Sequence, residues 1–184
     1  MNVLKTLMIL CLATASMFGQ QAQAPAEKSP AVTAEHRKNA LQLAEISGRK
    51  RFEASLPDVV RQGKEQMLKV APDFDPAFAE EWAKRMTARI KADDFLAVAA
   101  GVYAKYLTND EILELIRVQQ AGQKSPAATV SPELQKKIAE ISPKLMGEIV
   151  GGCTELGAKL GSQVGDEIAV EHPEWTQKPV APAK

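Results

Sequence analysis

The chain has 184 residues and a mass of 19.9 kDa, with 23 Lys and Arg balanced by 23 Asp and Glu. That length supports one hydrophobic core and seldom two, so the sequence predicts a single domain. A net charge of zero argues against a protein that binds nucleic acid or acidic lipid through its overall field. Two His and two Cys leave little material for a metal cluster or a disulfide framework. We therefore expect no nucleic-acid partner, no cofactor and no metal.

Residues 1–24 have the layout of a secretory signal peptide. Lys5 supplies a positive charge, residues 7–18 form an apolar run, and Ala22-Gln23-Ala24 fits the small-x-small cleavage pattern. The run is too short to cross roughly 30 Å of hydrocarbon as a helix. We expect a secreted protein of the periplasm, with no stable transmembrane segment after signal cleavage. Pro25 would hinder a cut directly before it, so a cut a few residues earlier, after Gly19, is one alternative. An uncleaved membrane anchor is the other, although the apolar run is short for one.

Beyond the signal, the sequence divides into three parts. Residues 25–32 are a Pro-, Ala- and Ser-rich stretch typical of a flexible linker, and residues 173–184 are a Pro-rich tail predicted to be disordered. Residues 33–172 carry helical periodicity and predict a single helical domain. No segment alternates apolar and polar residues with β-branched enrichment, so a sheet is not supported. The predicted class is all-α, a compact bundle of about six helices.

The first half of the predicted domain contains two helices. Thr33 is placed to cap the first, and Gly48 is predicted to end it. Residues 52–70 then repeat apolar side chains at spacings of three and four, which indicates the second helix. Pro57 lies inside this pattern, so the helix either kinks there or starts afresh with Ser55 as its cap.

Three further helices are predicted in the middle of the chain. Asp75 caps the first, with Pro76 in the favoured first helical position. Asp93 or Asp94 begins the next, and Thr108 with Glu111 forms a capping box for its successor. The inward residues expected on these helices include Phe78, Trp82, Met86 and Ile90, then Phe95, Val98, Ala99, Val102 and Tyr106, then Ile112, Leu115 and Ile116.

The last and longest predicted helix is rich in Gly and starts at Ser131-Pro132-Glu133, and Pro143 is expected to kink or divide it. Gly157, Gly161 and Gly165 form a stripe four residues apart. Each Gly costs a helix roughly 1 kcal/mol relative to Ala, so the stripe predicts a helix packed closely against it. That helix belongs to the same chain or to a second copy. Amphipathic membrane contact is the alternative, although such helices prefer a polar face rich in Lys and Arg.

Cys153 is the only thiol of the predicted mature chain, and it lies on the apolar side of the last helix. A lone Cys in that position is usually a small buried residue. His36 and His172 lie near opposite ends of the domain, so a Cys–His catalytic pair is not indicated. The alternative is a dimer in which a disulfide bond joins Cys153 of two copies of the chain.

Several carboxylates lie close together in sequence without the spacing that catalysis or metal binding needs. Glu167 and Glu171 are one turn apart, but His172 lies about 100° round the helix from Glu171. Asp93-Asp94 and Glu80-Glu81 are adjacent pairs at helix starts, where the helix dipole favours negative charge. We therefore assign no catalytic, cofactor-binding or metal-binding residues and predict that the protein is not an enzyme.

Residues 103–115, YAKYLTNDEILEL, resemble part of a bacterial exported helical family known as domain of unknown function 2059. The matching positions are Tyr103, Tyr106, Thr108, Glu111 and Leu115, followed by Gly122 and Lys124. The sequence departs from the family in the next turn, where Ile116-Arg117 replaces an aromatic pair and Gln119-Gln120 replaces Ser-Pro. The resemblance implies an all-helical exported domain of no established activity, and it brings no catalytic residues.

Two functions are compatible with these observations. The first is a non-catalytic interaction module of the envelope, whose partner is an unknown envelope protein or a second copy of the chain. The alternative is a carrier of a small apolar ligand or lipid held between the helices. A filled core favours the first function, and an apolar cavity of several hundred cubic ångströms favours the second.

Overall fold

The computed structural model describes residues 32–72, 74–122 and 129–176. They form five α-helices and one short 3₁₀-helix: α1 (Ala34–Val70), α2 (Pro76–Arg89), α3 (Ala92–Tyr106), α4 (Asn109–Gly122), α5 (Pro132–Glu171) and the 3₁₀-helix Pro173–Thr176. These ranges contain no β-strand, so the predicted all-α class is confirmed. The predicted signal peptide and most of the predicted linker and tail lie outside the described residues.

Helices α1 and α2 begin directly after the capping residues predicted for them, Thr33 and Asp75. The hydroxyl of Thr33 accepts a hydrogen bond from the backbone N–H of His36 at 3.1 Å. The carboxylate of Asp75 accepts one from the N–H of Ala77 at 2.8 Å. Each cap satisfies a backbone donor that a helix leaves unpaired in its first turn. The two predicted caps are therefore confirmed.

The predicted capping box before α4 is also present. The N–H of Thr108 donates to Glu111 Oε2 at 2.7 Å, and the N–H of Glu111 donates to Thr108 Oγ1 at 3.3 Å. Lys137 on α5 donates to the same carboxylate at 2.6 Å and 2.8 Å. Burial raises the pKa of Glu111, but the hydrogen bonds from Lys137 and Thr108 outweigh it and hold that pKa below its usual value. The cap thus also joins α4 to α5.

Helix α1 is one continuous helix of 37 residues, so the predicted break at Gly48 is wrong. A single Gly costs a helix only about 1 kcal/mol, and Gly48 is buried, so tertiary packing outweighs that cost. Pro57 also lies inside α1. Ser55 does not begin a new helix there, and its hydroxyl donates to the carbonyl of Phe52 at 2.9 Å. The described residues accordingly contain five α-helices rather than about six.

The described residues divide into two compact units, where the sequence predicted one domain over residues 33–172. The first unit takes the described residues of 32–51 and 92–154, and the second takes those of 52–91 and 155–176. Helices α1 and α5 each contribute residues to both units. Each unit has a hydrophobic core of its own.

The core of the first unit contains residues of α1, α3, α4 and the first part of α5. Large members of it are Leu43, Leu96, Tyr103, Ile112, Leu115, Leu145 and Ile149. The buried face of α3 differs from the predicted one, because Phe95, Val98 and Tyr106 were expected to point inward and are only half-buried. Ala99, Ala100 and Ala104 occupy much of the buried face, with Leu96, Val102 and Tyr103. Alanines admit a close neighbouring helix, so the largest side chains of α3 do not mark its inward face.

Trp82 of α2 is the central residue of the second unit. Its indole lies between two helical glycines: a Cβ at Gly63 of α1 would meet Trp82 Cη2 at 2.8 Å, and one at Gly161 of α5 would meet Cζ2 at 3.3 Å. The indole N–H donates to the carbonyl of Gly161 at 3.0 Å. The other buried members of this core are Val60, Phe78, Met86, Val164 and Ile168.

The glycine stripe predicted on the last helix makes a close contact at one of its three positions. Of the three stripe positions, only Gly161 has tight space for a side chain. A Cβ at Gly165 would make an ordinary contact with Phe78 at 3.9 Å, and one at Gly157 would meet nothing within 4 Å. The helix packed against Gly161 is α2 of the same chain.

The first four residues of the tail predicted to be disordered form the 3₁₀-helix. The backbone N–H of Asp75 donates to the carbonyl of Trp175 at 2.9 Å. The ring of Trp175 packs against the second core and stacks on His172, with the ring centroids 3.8 Å apart. These contacts attach the 3₁₀-helix to the start of α2.

Gly161→Leu is expected to destabilise the protein, because the added side chain meets the indole of Trp82. Overpacking of this kind costs about 1–3 kcal/mol of unfolding free energy. Gly157→Leu is the matched control, because it adds the same side chain to open space on the same helix. The control should leave stability unchanged or raise it by up to about 1 kcal/mol. Urea denaturation followed by circular dichroism measures both, and equal stability of the two variants would contradict the role of Trp82.

Candidate functional site

An open groove of about 470 Å³ runs along α1 and α3 in the first unit. Six of the residues that line it are apolar or lack a side chain: Val32, Leu41, Ala97, Ala100, Gly101 and Ala104. Leu41 is 37% exposed, which is high for a large aliphatic side chain. A Cβ at Gly101 would meet nothing within 4 Å, so the space above this part of α3 is open. The floor of the groove is thus apolar and shallow.

Helices α1 and α3 run antiparallel along the groove. The imidazole Nε2 of His36, near the start of α1, lies 2.9 Å from the carbonyl oxygen of Leu107, just after α3. At the other end, the guanidinium of Arg49 pairs with Asp93 in the first turn of α3 at 2.5 Å. Residues early in α1 therefore lie level with residues late in α3.

Two buried polar side chains near the start of α1 bond residues just after α3 and at the start of α4. His36 is 5% exposed and Asn39 is 8% exposed. Because a carbonyl oxygen only accepts, His36 Nε2 must carry the proton that it shares with Leu107. The amide of Asn39 donates to Asn109 Oδ1 at 2.9 Å. A polar group buried at such a place costs free energy unless it is paired. The His36 bond therefore favours one register of α1 and α3, and the Asn39 bond joins α1 to the first residue of α4.

Arg37 and Lys105 give the groove its charge, and the antiparallel register places both near the start of α1. The ammonium of Lys105 lies 2.6 Å from Glu148 Oε1 and 5.1 Å from the ring centroid of Tyr106. The hydrogen bond to Glu148 raises the pKa of Lys105 and, through the phenol, that of Tyr106. Burial raises the pKa of Glu148, but the hydrogen bonds from Lys105 and Tyr106 hold it below its usual value. Lys105 and Glu148 are therefore both charged at neutral pH and offset each other.

Arg37 differs from Lys105 in its surroundings. Its side chain is exposed at the groove and has no ion-pair partner among the described residues. An arginine keeps its charge across the whole physiological pH range. The groove therefore combines an apolar floor with one cation that the described part of the chain does not neutralise.

The thiol of Cys153 and the imidazoles of His36 and His172 each have different neighbours. Cys153 is half-buried and packs against the core of the first unit. His36 shares its Nε2 proton with the Leu107 carbonyl. In the second unit, His172 Nδ1 lies 3.1 Å from Glu174 Oε1.

Glu167 and Glu171 are bound by arginines of α2 in the second unit. Arg89 forms a two-pronged pair with Glu167 at 2.8 Å and 2.9 Å. Arg85 does the same with Glu171 at 3.0 Å and 2.6 Å, and it also bonds Glu81 at 2.8 Å. The hydrogen bonds from these arginines lower the pKa of Glu167 and Glu171. Across the described ranges, no three His, Cys, Asp or Glu side chains are grouped so as to hold a metal ion.

One carboxylate from each of the adjacent pairs Asp93-Asp94 and Glu80-Glu81 bonds a side chain of α1. Asp93 binds Arg49 in the first unit, and Glu80 binds Lys64 at 3.0 Å in the second. The Asp93 contact joins α1 to α3, and the Glu80 contact joins the consecutive helices α1 and α2. The surroundings of these carboxylates are those of exposed ion pairs.

The groove was not predicted from the sequence. Its signal on α3 is a set of small residues at spacings of three and four: Ala97, Ala100, Gly101 and Ala104. The remaining signal lies on α1, where Arg37 and Leu41 are one turn apart. Nothing local joins these two patterns, because the register between the helices depends on bonds such as that from His36 to Leu107.

Among the described helices, none combines the length and the apolar character that crossing a membrane requires. Comparison of the chain with known protein families, with curated proteins and with solved structures finds no match. The resemblance to domain of unknown function 2059 therefore stays a prediction.

Acid is expected to destabilise the protein through Glu167 and Glu171. Because their pKa values are lower in the folded protein than the usual value of about 4.3, their contribution is full above that pH. It is lost as the pH falls through their folded pKa values, so the melting temperature should drop between about pH 5 and pH 3.

The double variant Glu167→Gln/Glu171→Gln should flatten this drop. Glu155→Gln is the control, since Glu155 is exposed on the same helix and has no ion-pair partner among the described residues. Calorimetric melting temperatures from pH 7 to pH 3 measure the effect. The expectation fails if the double variant and the control lose stability in parallel on acidification.

Proposed function

We propose that the protein is an exported, non-catalytic binding module of the bacterial envelope that binds its partner at the groove of the first unit. The observation that carries this proposal is the combination of an apolar floor at Leu41 and Gly101 with the cation of Arg37, which no carboxylate of the described residues neutralises. Exposed apolar surface is costly in water, and at a concave site it is typical of binding.

The non-catalytic character is supported by the direction of the pKa shifts. Among the described residues, every carboxylate whose pKa is shifted has it lowered: Glu81, Glu111, Glu148, Glu167, Glu171 and Glu174. A general acid at neutral pH needs the opposite, a carboxyl whose pKa is raised towards 7. These groups stay ionised, and four of them, Glu111, Glu148, Glu167 and Glu171, bond a side chain of another helix.

Export to the periplasm is supported by the sequence of residues 1–24, with its positive charge, short apolar run and small-residue cleavage pattern. Membership in domain of unknown function 2059 is part of the same proposal and rests on residues 103–115. The capping box at Thr108 and Glu111 is the part of that motif with a clear structural role.

The second candidate function is a carrier of a small apolar ligand or lipid. It is favoured by the size of the groove, since about 470 Å³ falls within the range of about 300–1,000 Å³ usual for small-molecule sites. The two candidate functions differ in the molecule that occupies the groove. The groove holds an envelope protein in an interaction module and a small apolar ligand or lipid in a carrier.

The proposal is tested by filling the groove. Gly101→Leu should fill it without a clash, because a Cβ there meets nothing within 4 Å. Gly151→Leu is the matched control, since it also adds Leu to open space but lies on α5 outside the groove lining. Native mass spectrometry, without reductant, is applied to each form purified from the envelope fraction of its own host.

A bound protein or small molecule should be present on the unaltered chain and on Gly151→Leu, and reduced at least tenfold on Gly101→Leu. Equal occupancy of Gly101→Leu would contradict binding at the groove. A dimer that separates only on reduction would instead place Cys153 at an interface between two copies.

A further inference from the structure

We infer that the groove binds a single-chain amphiphile with an anionic head group, of the class of a medium-chain carboxylate, and that Arg37 binds the head group. The inference rests on the proposed binding role of the groove and names the ligand class. It is carried by the way in which charge and apolar surface are distributed along the groove.

The groove is polarised along its length. Arg37 lies one turn inside α1 and Lys105 lies in the last turn of α3, and the antiparallel register places them level with each other. Leu41, Gly101 and Ala97 continue the lining in the direction away from these cations. From Ala97 to Lys105 the helix rises by roughly 12 Å at 1.5 Å per residue. A ligand that matches this surface has one charged end and an apolar chain of comparable length.

The sign of the charge selects an anion. The described lining residues include two cations and no carboxylate. Glu148 offsets the charge of Lys105, whereas Arg37 has no such partner among the described residues. A guanidinium binds a carboxylate with two parallel hydrogen bonds, and it repels a cationic head group. Arg37 is therefore the residue expected to distinguish the two kinds of amphiphile.

The small side chains of α3 shape the apolar part. Ala97, Gly101 and Ala104 leave a shallow trough, and Leu41 forms its opposite side. A flexible alkyl chain fills such a trough, and each methylene taken out of water strengthens binding. A partner helix would also contact these residues. The two cations lie level with each other, however, with Val32 before them and the longer apolar stretch of Leu41, Gly101 and Ala97 after them. This arrangement favours a molecule whose charge lies at one end of an apolar chain.

The test uses isothermal titration calorimetry with the lipid-free protein purified from its host. Dodecanoate is compared with octanoate and with dodecyltrimethylammonium, each below its micellar concentration. Dodecanoate should bind saturably at one molecule per chain. Octanoate should bind at least tenfold more weakly because its chain covers less of the trough, and dodecyltrimethylammonium should bind at least tenfold more weakly because Arg37 repels it.

Single substitutions in and outside the groove then test whether dodecanoate binds there. Arg37→Gln should weaken dodecanoate binding by about tenfold, as expected for the loss of a charge-assisted pair, without weakening the cationic amphiphile. Lys38→Gln is its control, because Lys38 is the next residue of α1, is exposed and does not line the groove. Gly101→Leu should abolish dodecanoate binding, and Gly151→Leu should leave it unchanged. Circular dichroism melting curves establish that all four variants are folded.

Three outcomes overturn the inference: no saturable binding of dodecanoate, equal binding of the cationic amphiphile, or unaltered dodecanoate binding by Arg37→Gln and Gly101→Leu. These outcomes are distinguishable from failure of the proposed function. If dodecanoate does not bind but a protein partner is lost from Gly101→Leu in the envelope preparation, the groove remains a binding site and the ligand class is wrong.

Discussion

The hydrogen bond between the buried imidazole of His36 and the carbonyl of Leu107 is the interaction on which the first unit depends. It joins the start of α1 to the end of α3 across 71 positions of sequence. It fixes the antiparallel register of the two helices, and the Asn39–Asn109 bond beside it joins α1 to the first residue of α4. That register brings Arg37 level with Lys105 and leaves the small residues of α3 facing Leu41. The proposed binding surface is thus a consequence of one buried polar contact between helices.

The second unit is organised by a different contact. The indole of Trp82 occupies the space left by two glycines, Gly63 and Gly161, and its N–H bonds the backbone of one of them. Around this centre, arginines of α2 hold Glu167 and Glu171 of α5. The exposed ion pairs are weak individually, so the close packing of the indole is the more important source of stability.

The sequence predicts the helix starts well, because a cap is a local event. Thr33, Asp75 and Thr108 act within three residues of their own positions, so their side chains are sufficient signals. The break at Gly48 was wrong because a local cost of about 1 kcal/mol is smaller than the packing of a long helix. The groove was missed for a further reason: its two sides are ordinary patterns on separate helices. Only the register imposed by His36 makes them one surface.

The central claim is that the groove along α1 and α3 holds a ligand with its anionic end beside Arg37. It is tested most directly by isotope-filtered nuclear Overhauser spectroscopy of the protein with ¹³C-labelled dodecanoate. If the ligand lies as proposed, the chain methylenes contact the methyl groups of Leu41 and Ala97, and the carboxylate end lies nearest Arg37. Contacts to residues outside the groove, or a chain bound in the reverse direction, would contradict it.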